Sequence, residues 1–194
     1  MPPLIPSHHR AVAKSVAEFF GGEISIKQAW DDADESMIGV LAASDSPSAG
    51  LTSYSTIGLC DSEIHDHVGV VPYRVELVMA ARSQFEKTRN ILATAAFHVI
   101  NSDWSCHCFA LYPGIVEMYY PDSPMAHLLF VDPFMWDGEF PELNVEGLPL
   151  RWLLAAPISE PERRYAINFD IPTLLDELDE CGADVTDLYR SSVA

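Results

Sequence analysis

Leu153-Leu-Ala-Ala-Pro-Ile-Ser-Glu-Pro-Glu-Arg-Arg-Tyr-Ala166 passes from apolar to polar within a few residues of a proline. The apolar run that leads into it, residues 150–158, has the length of a strand. It is too short to span a bilayer and carries Arg151. Ser159 and Glu162 stand three apart, the spacing of a capping box. The serine hydroxyl accepts from the N–H near Glu162, and the Glu162 carboxylate reaches back to the Ser159 N–H. Pro161 falls in the first turn, where it gives up only an N–H with no partner inside the helix. The stretch therefore predicts a buried strand feeding directly into a capped helix at residues 159–168.

Further elements follow on both sides. Downstream, Asp170 caps a last helix with Pro172 in its first turn. Leu174, Leu175 and Leu178 form its apolar stripe, and Gly182 lies past its end. Upstream, residues 125–131 read as a buried strand and 115–119 as a short one. Residues 132–147 read as a loop with a Phe134-Met-Trp136 anchor. A helix is expected over 83–100, with Phe85, Leu92, Ala95, Ala96 and Val99 on one stripe. Strands are expected at 23–30, 37–43, 51–59 and 73–80. In the first, Ile24 and Ile26 alternate with polar residues, and the last has one face wetter than the other. An opening helix over 7–20 buries Val12, Val16, Phe19 and Phe20, and Gly21-Gly22 stops it.

Strands and helices intermix without regular βαβ alternation, and no linker or repeat divides the chain. This predicts an α+β fold: a mixed, largely antiparallel sheet packed with helices in a single-domain sandwich over residues 1–194.

The net charge is −18. Residues 1–70 hold 10 acidic and 3 basic side chains, residues 71–131 hold 5 and 4, and residues 132–194 hold 14 and 4. A near-neutral middle suits a buried scaffold, and the two ends carry the field. Such a field repels nucleic acid and anionic lipid and speeds encounter with a basic partner. On the last helix Asp176, Glu177, Asp179 and Glu180 occupy the polar side, and they are the candidate landing surface for a partner's Lys and Arg. The first residues show no positive segment followed by an apolar one, so a cytoplasmic protein is expected.

Chemistry is weakly signalled. The cysteines at 60, 106, 108 and 181 are expected as free thiols. Cys106-His-Cys108 is tight for a zinc knuckle; His65, His67 or Cys181 could add donors, but there is no second knuckle. A metal-assisted enzyme using His65, His67, Cys106 and Cys108 is the alternative this leaves open. No Gly-x-Ser-x-Gly, dinucleotide fingerprint or phosphate loop is present. The expectation is no catalytic residues, no cofactor and no metal. The four tryptophans are expected mostly as buried or half-buried anchors.

Five stretches in order resemble the suppressor-of-fused domain family: Leu51-Thr-Ser-Tyr-Ser-Thr-Ile-Gly-Leu59, Arg74-Val-Glu-Leu77, His127-Leu-Leu-Phe-Val-Asp-Pro-Phe-Met-Trp136, Leu153 to Ala166, and Asp184-Val-Thr-Asp-Leu-Tyr-Arg190. The resemblance covers about residues 45–190. It implies a mixed α/β sandwich and a protein-binding role without catalytic residues. Tyr54 and Glu76 carry over as structural positions. The bacterial single-domain branch resembles immunity proteins and antitoxins that neutralise a toxin, often a basic nuclease. The eukaryotic branch implies the alternative, a regulator that sequesters an endogenous protein such as a transcription factor.

Overall fold

The computed structural model of the protein describes residues 5–66 and 68–194. The chain runs α1 (Ser7–Phe20), β1 (Glu23–Trp30), β2 (Met37–Ser44), β3 (Leu51–Ile57), β4 (Arg74–Arg82), α2 (Thr88–Ser102), β5 (Leu111–Tyr112), β6 (His127–Val131), β7 (Asn144–Val145), β8 (Leu148–Ile158), α3 (Glu160–Asn168) and α4 (Ile171–Glu180). A 3-10 turn at Leu59–Asp61 follows β3.

The strands form one open sheet in the order β1-β2-β3-β4-β8-β6-β5, with β7 hairpinned onto β8. Every pairing is antiparallel except the central one, β4 against β8, where Arg74 meets Leu150 and Val78 meets Leu154. The expected mixed, largely antiparallel α+β architecture is what the chain forms.

Both faces of the sheet are covered, and strand alternation sorts the core into two halves. Val75, Leu77 and Met79 of β4, Leu153 and Ala155 of β8, and Phe130 of β6 face Ile91, Leu92, Ala95 and Ala96 of α2. Val78, Ala80, Leu154, Ala156 and Leu129 face the other way, toward Val12, Val16 and Phe20 of α1, Ala166 of α3 and Leu174 of α4. Burial on both faces is why the β8 sequence is apolar at almost every position.

The same fact corrects the wetter face expected for β4. All seven interior residues of that strand are buried, Glu76 among them. The carboxylate is tolerated because it accepts hydrogen bonds from the Thr56 hydroxyl and from the Gly58 and Cys60 N–H groups.

Other expectations shift locally. Residues 115–119 form turns rather than a strand. α2 begins at Thr88, and Phe85 is buried in the turn before it, whose carbonyl accepts from the Thr88 N–H and hydroxyl. β1 alternates as read, yet Ile24 and Ile26 remain exposed, because α1 lies over β2 and β3 and leaves the edge strand bare. Gly21 caps α1 by donating to the Ala17 carbonyl. At Gly22 (φ +71°) a Cβ would lie 2.1 Å from the Ser44 carbonyl oxygen, so only glycine fits this close turn into β1.

The box at Ser159 forms as predicted. Its hydroxyl accepts from Glu162 N–H at 3.2 Å, and its own N–H donates to Glu162 Oε2 at 2.9 Å.

Candidate partner-binding surface

α4 is capped at its N-terminus. Asp170 accepts from the Thr173 N–H at 2.7 Å and from its hydroxyl at 2.9 Å. These bonds hold the Asp170 carboxyl below its usual range. Leu174 and Leu178 are buried against the core, while Leu175 is half-buried. That packing turns Asp176, Asp179 and Glu180 out to solvent, with Glu177 partly covered.

Five of the arginines are committed to ion pairs elsewhere. Arg163 and Arg164 hold Glu160, whose carboxyl they bring down to about 2. Arg82 bridges Asp184 and Asp187, and Arg74 reaches Glu146. Arg190 clamps the fully buried Glu162 with its Nη1 and Nη2. Burial alone would raise the Glu162 carboxyl. Hydrogen bonds from Arg190 and from the Ser159 and Val193 N–H groups outweigh it and hold the group below its usual range. Among the described residues no ion pair reaches Asp176, Glu177, Asp179 or Glu180.

Beside this face runs a groove of about 410 Å³, bordered by Leu175, Leu178, Asp179 and Val185. Phe134, Ala183 and Val185 also line a second hollow of about 550 Å³ that extends to Trp136 and Phe20. Phe134 stands 57% exposed where the two meet. Sequence reading grouped Phe134 with Trp136 as one anchor, and the structure separates them. Trp136 is buried, stacks on Phe20 with ring centroids 5.4 Å apart and donates to Ser53 Oγ at 2.8 Å. Phe134 is left as an apolar surface element next to the acids. Of the other tryptophans, Trp152 is buried, Trp104 half-buried and Trp30 exposed.

Among the described residues, His65, Cys106 and Cys108 are not gathered into one metal-capable group. Cys106 is fully buried, and burial, reinforced by the charge of Glu76, pushes its thiol up to about 12. Burial likewise raises the half-buried Cys108, and Cys181 is exposed. His65 sits in a bridge to Val70, and His67 lies outside the described residues. Among the described residues the cluster of metal-capable side chains is a different one, His8, His9, Cys60 and Asp61. No short spacing in the sequence could have revealed it, because its two halves come from distant segments. No described helix is long and apolar enough to cross a membrane.

Comparison with known proteins bears on the whole chain. The immunity protein YqcF of Bacillus subtilis (strain 168) is 35% identical over 189 residues, 97% of this chain and 98% of that protein. A solved suppressor-of-fused homologue from Neisseria gonorrhoeae FA 1090 superposes with a TM-score of 0.74 at 17% identity, covering 96% of each chain. The Sufu–Fu complex structure matches with a TM-score of 0.66 at 11% identity, over 95% of this chain and 91% of that one. The model of the suppressor of fused protein (SUFU) family matches residues 34–191, slightly more than the stretch over which the motifs resembled it, and the chain belongs to that family.

Proposed function

We propose that the protein is a stoichiometric binder of the immunity or antitoxin type, working in the cytoplasm. It neutralises a basic toxin domain, of which a nuclease with a cationic cleft is the best-suited class. The face it uses is the acidic side of α4 together with the groove at Phe134. On this reading it acts by occupancy, covering or locking the toxin, with no chemistry of its own.

The observation that carries the proposal is the local surplus of charge. Among the described residues, four carboxylates on one helix have no ion-pair partner while five arginines are spent on pairs elsewhere. An exposed Phe134 beside them supplies the apolar contact that an acidic surface alone lacks. The similarity to a protein named for immunity, over nearly the full length of both, supports the same reading.

The test is association kinetics with the cognate toxin at two salt concentrations. Exposed charges farther apart than about 8 Å are largely screened at physiological ionic strength, so the wild-type association rate should fall steeply with salt. Reversing Asp176, Glu177, Asp179 and Glu180 to Lys should slow association about tenfold or more, with the fold intact. Phe134→Ala should act on dissociation instead. A salt-independent rate would remove the steering argument. A normal rate for the reversed helix would move the face to the acidic loops 31–35 or 137–146.

A further inference from the structure

Two segments far apart in sequence converge at the start of α1. His8 and His9 are consecutive residues of its first turn, and their Nε2 atoms meet the two oxygens of one carboxylate. His8 contacts Asp61 Oδ1 at 2.6 Å and His9 contacts Oδ2 at 2.8 Å. Cys60 precedes Asp61 in the 3-10 turn, and the four ligand atoms all lie within 4.8 Å of one another. Cys60 is buried, the histidine side chains are 28% and 17% exposed, and Asp61 is 49% exposed. The cluster therefore has a closed inner wall and an open outer rim, the shape of a site that an ion enters from solvent.

We propose that His8, His9, Cys60 and Asp61 bind one divalent transition metal, with zinc the ion the donors suit best. Two borderline imidazoles and one soft thiolate beside one hard carboxylate make a mixed N, S and O donor set. Calcium and magnesium take oxygen-only sets, and zinc takes mixed N, S and O sets with four ligands. Bond lengths of about 2.0–2.3 Å around a tetrahedral ion place ligand atoms about 3.3–3.8 Å apart. The imidazole–carboxylate contacts must open, and the longest separation must close, by about 1 Å or less, which side-chain torsions alone supply. The Cys60 S–H loses its proton to solvent as the metal–sulfur bond forms.

The supporting structure is rigid on both sides. α1 is anchored by Val12, Val16 and Phe20 in the core. The turn bearing Cys60 and Asp61 is held from beneath by Glu76, which accepts from the Gly58 N–H at 2.8 Å and the Cys60 N–H at 3.3 Å. Gly58 (φ +108°) lets the turn approach the helix, since a Cβ there would lie 3.0 Å from His9 Cε1. An ion at this point ties the first helix to the centre of the sheet across the intervening chain. The inference concerns the opposite end of the chain from α4 and stands independently of the toxin-binding face.

The expectation of no metal rested on the missing partners of Cys106 and Cys108 and did not reach this group. The experiment is titration of chelator-stripped protein with zinc, followed by calorimetry and by thermal unfolding. One zinc per chain should bind and raise the unfolding temperature. Asp61→Asn, an exposed change, and His9→Gln should each weaken binding about 100-fold or more and abolish the thermal shift. Cobalt(II) in place of zinc should give a thiolate charge-transfer band that Cys60→Ser removes. No binding would overturn the proposal. So would binding of unchanged stoichiometry and affinity in both Asp61→Asn and His9→Gln, which would mark an adventitious ion on other histidines. A cobalt spectrum without that band would overturn the place given to Cys60.

Discussion

Two buried glutamates with opposite electrostatics show how single residues shape this fold. Glu162 sits under a guanidinium and closes the α3 capping box, so its charge is stabilised. Ser159→Ala removes one half of that box and should cost about 1 kcal/mol, seen as a lower denaturant midpoint with unchanged slope. Among the described residues Glu76 has dipoles but no cation beside it. Burial raises its carboxyl, and the bonds from Thr56, Gly58 and Cys60 oppose that only in part. A carboxyl whose folded value lies above its unfolded one binds protons more readily when folded. Its contribution therefore falls as pH rises from the unfolded value toward the folded one. Glu76→Gln keeps an acceptor for the two N–H groups and removes the charge. Its stability relative to wild type should rise between mildly acidic and neutral pH, as read by urea unfolding across that range. A constant difference would show that the native carboxyl titrates at its ordinary value.

At the level of elements, the edge and the centre of the sheet answer differently to the same kind of change. Ile26 of β1 is 52% exposed, whereas Leu41, its partner on β2, is fully buried. Ile26→Thr should change stability by less than about 0.5 kcal/mol, while Leu41→Ala should cost about 2–5 kcal/mol, both measurable as denaturant midpoints. Sequence pattern marks β1 by alternation and β2 by an apolar run, but alternation reports a face and not what covers it, so the exposure of Ile24 and Ile26 was not legible. The helices were readable for a better reason: Gly21, Ser159 and Asp170 carry their stop and start chemistry locally. The start of α2 was misplaced because Phe85 fits the helical stripe while lying in the preceding turn. The acidic side of α4 was legible for the same local reason as its cap. Phe134 and the His8–Asp61 contact were not, since each depends on chain segments that meet only after folding.

For the molecule as a whole, the charge of −18 is unevenly spent. Internal pairs consume most of the arginine, and the uncompensated surplus stays at the surface, where it favours solubility. The sheet that carries this surface has its one parallel junction at its centre, residues 74–78 against 150–154. A ribosome delivers the first four strands as successive hairpin neighbours, each able to pair as it emerges. The nascent chain must then wait for β8 before β4 has a second neighbour, and that edge of the strand stays unpaired meanwhile. Pairing between such distant segments is slow to form and leaves apolar surface bare until it does. During synthesis the protein is thus a natural client for a chaperone, and truncation anywhere before β8 would leave a half-sheet fit mainly for proteolysis.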